Sequence, residues 1–394
     1  MHTNIVIVDA VRTAIGEFGG TLREKPPADL GSTVVKALLE RTGLSGDAVD
    51  QVVVGNVHQT TASDMYLARR AALGGGIAPR AGALTVNRLC GSGLEAVLLA
   101  AQFIASGEAE VAIGGGAETM SLAPYLLPAH RFGSRPGDVV ATDTLMGGLT
   151  DPMTGVHMGE LGERIATRFD IDRAQQDGIA LASHRRAALA IEAGYFDAQI
   201  VPIDVGSARK PAIFKRDERV RSAPSADDFT TLRPVFRREG GTITAANASG
   251  INDGASAVLL TTAAYAQARG LRPMARLVAH ARVGVLPEEM GIGPVMASRE
   301  VLRRADLRIG RMDVIELNEA FASVVGAFLK EMSLDASRVN PNGGAIALGH
   351  PVGATGAIMV TKAVHELQRT ATRYAIVTTC IGGGQGIAAI FERA

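Results

Sequence analysis

One order of elements occurs twice along this chain. Early on, a strand-like run, NIVIVDAV, precedes a helix, PADLGSTVVKALLERTGL, and a strand, DQVVVGN, that stops at Asn56. A further strand, GALTVN, leads through Cys90 into an apolar helix, SGLEAVLLAAQFIASG, and on to EVAIGGG. From about residue 275 the series returns. ARLVAHARV reads as a strand, VMASREVLRRADL as a helix, and MDVIELN as a strand stopping at Asn318. RVNPNG parallels TVNRLC, GATGAIMVTKAVHELQ supplies a helix, and YAIVTTCIGGG a strand like EVAIGGG. Self-similarity on this scale means a duplicated α/β unit. Strands alternating with helices predict largely parallel pairing inside each unit. GQGIAAIFER has no crossover helix before it and should return antiparallel.

The helices carry faces at the expected period. Leu30, Val34, Ala37, Leu38 and Leu44 share one side of the first. Leu94, Val97, Leu98, Ala101 and Ile104 share one side of the helix after Cys90, and Leu99, Ala100 and Phe103 make its other side apolar as well. That helix is expected to be buried all round. Between about 120 and 270 the pattern changes. PYLLPAHRFGSRPGD is rich in Pro, Gly and Arg, and KPAIFKRDERVRSAPSADD is polar. DRAQQDGIALASHRRAALAIEAG reads as one helix, with Asp172 as N-cap, Gln175 three residues on, and Gly194 closing it. Such an excursion, folded over a rigid scaffold, is where substrate is usually held.

Bulk properties exclude several classes. The 394 residues suit two or three domains, and 47% hydrophobic residues supply a sizeable core. Lys+Arg and Asp+Glu both number 40, so no net field draws nucleic acid. No apolar run reaches membrane-span length, and MHTNIVIVDAVRT lacks the pattern of a secretory signal. Two cysteines make neither a disulfide framework nor a structural zinc site. A cytoplasmic location is the expectation, and no metal is. Gly-Lys phosphate loops, G-x-S-x-G elbows and H-E-x-x-H helices are absent. IGGGAETM alone is a weak phosphate signal.

Both thiols lie where strands end. Cys90 precedes a helix, where free amides and the helix dipole are expected to stabilise a thiolate. Its plainer reading is a small buried side chain. His350, in GGAIALGHPVGATG, lies between a strand-like run and a helix, with Pro351 just inside the helix start. The repeat makes this junction the counterpart of the one at Cys90. A neutral imidazole facing a thiol can take its proton, although a turn-capping histidine reads equally well. Cys380, before IGGG, could move a second proton, or pair with Cys90 in a redox couple. Backbone amides at Gly382 or Gly383 could face a developing oxyanion. Asn318 could hold a water or simply cap a turn.

VNRLCGSG, HMG, NASGINDGA, NEAFA, NPNGG…GHPVGATG and CIGGGQG, in this order, resemble the thiolase family, and the likeness spans essentially the whole chain. The NEAF form and the long excursion resemble its bacterial acetyl-CoA acetyltransferase and β-ketothiolase branch. The resemblance implies two βαβαβαββ halves in five layers, α-β-α-β-α, with an inserted loop domain. It puts residues 1–119 and 251–272 in the first half, 120–250 in the loop domain, and 273–394 in the second half. It implies reversible Claisen condensation of two acetyl-CoA, or of acyl-CoA with acetyl-CoA, to a 3-ketoacyl-CoA and CoA. In it Cys90 carries the acyl group, His350 activates Cys90 and donates to the thioester oxygen, and Cys380 moves the α-proton. Asn318 holds a water in one oxyanion site, and the amides of Cys90 and Gly382 form the other. His157, Met158, Ser249 and Phe321 match positions along the pantetheine channel, and Arg221 one near the CoA adenine. CoA thioesters are the implied substrates, with no resident cofactor, nucleic acid or membrane partner. A homodimer or homotetramer is implied, with the 124–138 loop as assembly element.

Three rivals remain at this level. A degradative 3-ketoacyl-CoA thiolase for longer chains would use the same residues. A decarboxylating ketoacyl synthase favours two histidines with one cysteine, where this chain offers Asn318 and Cys380. A non-catalytic acyl carrier would bind without turnover.

Overall fold

The computed structural model describes residues 4–133, 136–206 and 210–394. The first half supplies β1 (Ile5–Thr13), α1 (Pro27–Thr42), β2 (Gln51–Gly55), α2 (Leu67–Gly74), β3 (Gly82–Val86), α3 (Ser92–Ala105) and β4 (Val111–Thr119). The excursion carries α4 (Met158–Arg168) and α5 (Arg173–Glu192), after which β5 (Asn252–Thr262) returns to the first half. The second half repeats the series as β6 (Ala275–Gly284), α6 (Gly293–Ala305), β7 (Val314–Leu317), α7 (Ala322–Met332), α8 (Val352–Thr370), β8 (Tyr374–Ile381) and β9 (Gln385–Arg393). Its counterpart of β3 is reduced to one bridge, Ile315 to Val339.

Adjacent strands follow the order β7-β8-β9-β6-β1-β5-β4-β2-β3. The two sheets meet at β1 and β6 through Val6–Arg276 and Ile7–Ala275. Pairing is parallel for β2 with β3 and β4, and for β7 with β8. It is antiparallel for β5 with β1 and β4, and for β9 with β8 and β6. The sheets are therefore mixed, not largely parallel. In each half the last strand arrives without a crossover and inserts beside the first.

The chain thus forms five layers. α1 and α2 cover the outer face of the first sheet, and α6 and α7 that of the second. α3 and α8 lie between the sheets, where Leu94, Val97, Leu98, Val360 and Val364 build the central core. Burial of α3 is not complete, since Leu99 and Phe103 are half-exposed and Gln102 faces solvent. The two middle helices touch backbone to backbone. A Cβ on Gly93 would strike the amide of Ala357, and one on Gly356 that of Leu94. IGGGA lies wholly inside β4, and its glycines admit α3, β5 and α8 rather than a phosphate.

The excursion is pinned to the scaffold at one buried ion pair. Arg12, near the end of β1, is fully buried. Its Nη1 and Nη2 donate to Asp217 at 2.7 and 3.0 Å, and its Nε to Gln199 Oε1 at 2.8 Å. Asp217 also accepts the Ile15 N–H at 2.8 Å, and Phe196 lies 4.9 Å beneath the guanidinium. α5 starts as its sequence implies. Asp172 accepts the Gln175 N–H at 2.7 Å, Gln175 accepts that of Asp172 at 3.0 Å, and Gly194 turns at φ +69°. Within 124–138, Tyr125, Leu126, Leu127 and Phe132 are exposed, while Ser134 and Arg135 lie outside the described residues. Among the described residues no helix is long and apolar enough to cross a membrane.

Removing one member of a buried pair strands the other charge. Asp217→Ala is expected to lower unfolding free energy by about 3–5 kcal/mol, with a lower denaturant midpoint in equilibrium unfolding.

Candidate active site

Cys90 is held by a tight turn between β3 and α3. Leu89 takes a left-handed φ of 47°. Asn87 Oδ1 accepts its N–H at 2.9 Å, and the Ser92 hydroxyl bridges the Arg88 N–H at 2.8 Å and the Leu89 carbonyl at 2.7 Å. The sulfur receives the backbone N–H groups of Gly382 and of Cys90 itself, yet burial pushes its pKa up to about 11. The expectation of a thiolate stabilised by the helix end is therefore corrected. Desolvation of the charged form outweighs the helix terminus here.

His350 precedes α8. The strand-like run before it is a single helical turn, Ala345–Leu348, and Pro351 is the N-cap rather than the first helical residue. The His350 N–H donates to Asn252 Oδ1 at 2.9 Å. Nδ1 lies 2.7 Å from Thr355 Oγ1, and that hydroxyl donates its single hydrogen to the Pro351 carbonyl at 2.9 Å. The hydroxyl can then only accept, so Nδ1 carries the ring proton and Nε2 keeps its lone pair. Burial lowers the pKa of His350 to about 4, so the ring is neutral at pH 7. Asn318, just beyond β7, places Nδ2 3.5 Å from His350 Nε2. Its N–H donates to the Thr378 carbonyl at 3.0 Å, and its buried Oδ1 has no hydrogen-bond partner among the described residues.

Cys380, on β8, pairs in register with Gly386. Burial raises its pKa beyond that of Cys90, the nearby Cys90 sulfur adds to the rise, and the Asn318 side chain opposes it by hydrogen bonding to the sulfur. Behind Asn318, the Lys362 ammonium joins Glu316 at 2.7 Å and the Gly343 carbonyl at 2.6 Å, tying β7 to α8. A side chain at Gly382 would press on the ends of the Met158 and Leu89 side chains, and the glycine amide lies beside the Cys90 sulfur.

Cys90, His350, Cys380 and Gly382 border one cavity of about 70 Å³. Met158, Ser249 and Phe321 line it with them. Asn318 reaches the group from behind, through His350 and Cys380. His157 and Arg221 do not line it. His157 caps α4, accepting the Gly159 N–H at 3.0 Å, and stacks on Phe236 at 4.8 Å. Arg221 pairs with Asp228 at 3.5 Å and lies over Phe229 at 5.6 Å.

Several neighbours escaped the sequence reading. Thr355 and Asn252 stood inside quoted motifs, five residues after the histidine and in NASGINDGA. Glu118 closes IGGGAE at the end of β4. Its carboxylate accepts from Asn56 Nδ2 at 3.0 Å and from the N–H groups of Val57, His58 and Gly353 at 3.0, 3.1 and 2.9 Å. Burial raises its pKa, but its oxygens meet only N–H donors among the described residues, which leave no acceptor for a carboxyl proton and favour the carboxylate. It thereby joins the loop after β2 to the start of α8.

The family model for the thiolase N-terminal domain matches residues 5–264, and that for the thiolase C-terminal domain matches 271–393. The chain belongs to the thiolase family. It is 56% identical over 393 residues to the beta-ketothiolase BktB of Cupriavidus necator, covering 100% of both chains. It is 46% identical over 392 residues to the acetyl-CoA acetyltransferase of Escherichia coli, covering 99% of each. Among solved structures, human mitochondrial 3-ketoacyl-CoA thiolase matches with a TM-score of 0.97 and 40% identity, over 100% of this chain and 99% of that one. In this thiolase, burial favours the neutral form of both cysteines and of the imidazole beside them.

Two expectations follow. Iodoacetamide should modify Cys90 about tenfold faster per pH unit between pH 6 and 9, since only the thiolate reacts; a rate already flat from pH 6 would mean an ion pair instead. Glu118→Gln should lower stability by about 1–3 kcal/mol in denaturant titration, because the new amide would turn N–H groups toward N–H donors.

Proposed function

We propose that this thiolase catalyses reversible condensation of acetyl-CoA with itself or with another short acyl-CoA, through an acyl group on Cys90. The observation that carries the reading is spatial. Cys90 and Cys380, 290 positions apart in the sequence, border one cavity with the imidazole of His350.

In the first stage Cys90 Sγ attacks the thioester carbonyl and its proton passes to His350 Nε2. The bond from carbonyl carbon to CoA sulfur breaks, and the departing sulfur takes a proton from Cys380. The enzyme then holds an acylated Cys90, an imidazolium and a Cys380 thiolate. These opposite charges form together beside Asn318, which offsets the burial that keeps each group neutral at rest. In the second stage the Cys380 thiolate takes an α-proton from a second acetyl-CoA. The carbanion attacks the Cys90 acyl carbon, the carbon–sulfur bond to Cys90 breaks, and His350 returns its proton to Cys90. All three groups recover their starting protonation.

An α-proton beside a thioester leaves only if the enolate oxygen meets donors already in place. His350 and a water held by the unpartnered Oδ1 of Asn318 suit that oxygen. The Gly382 and Cys90 amides suit the oxyanion of the acyl carbonyl. Met158, Ser249 and Phe321 suit the pantetheine arm, with His157 and Arg221 further along the CoA.

Exposure to acetyl-CoA followed by mass spectrometry tests the division of labour. Cys90→Ala should gain no acetyl group and show no turnover. Cys380→Ala, whose departing CoA sulfur must take its proton from water or His350, should still acetylate at Cys90, only more slowly, yet lose at least about a hundredfold in condensation rate. Normal condensation by the second variant would remove Cys380 from the mechanism.

A further inference from the structure

The cavity contains a polar side chain that no step above employs. His58, in the loop after β2, borders it together with Val57, Leu149 and Val352. Only 6% of the residue is exposed. Its backbone N–H is anchored on Glu118 Oε1 at 3.1 Å. Its ring lies so close to Gly148 that a Cβ there would meet Cε1 at 2.9 Å. The ring packs against Gly148, and neither ring nitrogen has a hydrogen-bond partner among the described residues.

The ring nitrogens keep some access to solvent, so a group entering the cavity can supply the bond that the surrounding protein does not. Val57, Leu149 and Val352 beside it are apolar and cannot supply the bond. The charge acting on the ring is the carboxylate of Asp143, one of whose oxygens already accepts the Leu145 N–H at 2.9 Å. A neutral ring beside that carboxylate can donate to, or accept from, a hydroxyl. A second carboxylate brought to the same place would be repelled by Asp143.

We propose that His58 determines substrate specificity by hydrogen-bonding a hydroxyl carried on the acyl chain, so that the cavity favours short hydroxyacyl-CoA thioesters over their methyl isosteres. This rests on the acyl-transfer reading above and adds to it the class of acyl group. The bond would be lost with an alkyl chain, leaving the ring unpaired, and a polar group built to be paired discriminates against the analogue lacking the partner.

The test compares acylation rates of Cys90, by intact-protein mass spectrometry, for two pairs differing by hydroxyl for methyl. These are glycolyl-CoA against propionyl-CoA and 4-hydroxybutyryl-CoA against pentanoyl-CoA, with succinyl-CoA as the charged arm. His58→Leu should lower the hydroxyl-to-methyl rate ratio by about tenfold for the pair whose hydroxyl reaches the ring. His58→Gln, which keeps a donor and an acceptor, should retain part of the preference and stands in should the leucine variant not fold. Ratios agreeing within about twofold across wild type and variant for both pairs would overturn the proposal. So would an equal KM rise for every acyl group, acetyl included, which would put the ring on the pantetheine arm. A preference lost only for succinyl-CoA would overturn it too, in favour of an anionic chain. Failure of wild type to acylate Cys90 with any thioester would instead sink the acyl-transfer reading itself.

Discussion

The contact on which the site depends is the crossing of α3 and α8 between the sheets. Gly93 and Gly356 let the two backbones meet with no side chain between them. Each helix begins within two residues of the group it presents, Cys90 for α3 and His350 for α8. Bringing the first turns together therefore brings sulfur and imidazole to the same end of the central layer. The sheets then close over the pair. β8 delivers Cys380 and Gly382 from one side, and the end of β7 delivers Asn318. Small side chains near the helix starts are thus a condition of the chemistry as well as of packing.

Enclosure sets the electrical state of the site. It raises the pKa of both thiols and lowers that of His350, so each shift favours the uncharged form. Two helix N-termini nearby do not reverse this. What the termini and the Gly382 amide provide is a set of fixed dipoles that need no rearrangement when charge appears. A resting ion pair would spend much of that stabilisation before substrate arrived. A neutral resting state reserves it for the moment of bond formation.

Much of this could be read from the chain because the features concerned are local. The stop at Asn318 after IEL, the Asp172–Gln175 capping box and the periods of α1 and α3 depend on neighbours a few residues away. The repeat added one long-range inference, that counterpart loops converge, and Cys90 and His350 do so. What escaped depends on partners distant in sequence. Glu118 acquires its role from Asn56, Val57, His58 and Gly353, which no spacing rule connects. GGG in β4 suggests a phosphate turn until α3, β5 and α8 are seen against it. Parallel pairing was overestimated because alternation of strand and helix does not reveal where β5 and β9 insert. The pKa of Cys90 was misjudged in sign, since a helix start is visible in sequence and depth of burial is not.

The duplication also shows how one frame came to carry two kinds of residue. Register makes the comparison direct. Gly55 pairs with Gly116 in the first half, and Leu317 with Thr378 in the second. Asn56 and Asn318 each follow the first member, while Glu118 and Cys380 each lie two residues beyond the second. In both halves the asparagine amide hydrogen-bonds that partner, the Glu118 carboxylate in one and the Cys380 sulfur in the other. The carboxylate saturates itself with further backbone N–H groups and locks the loop that carries His58. A thiol has no such capacity, so Cys380 stays loosely bonded and free to exchange a proton. The same geometric slot is therefore rigid where it positions the cavity wall and labile where it faces the substrate, and the difference lies in the acceptor strength of one side chain.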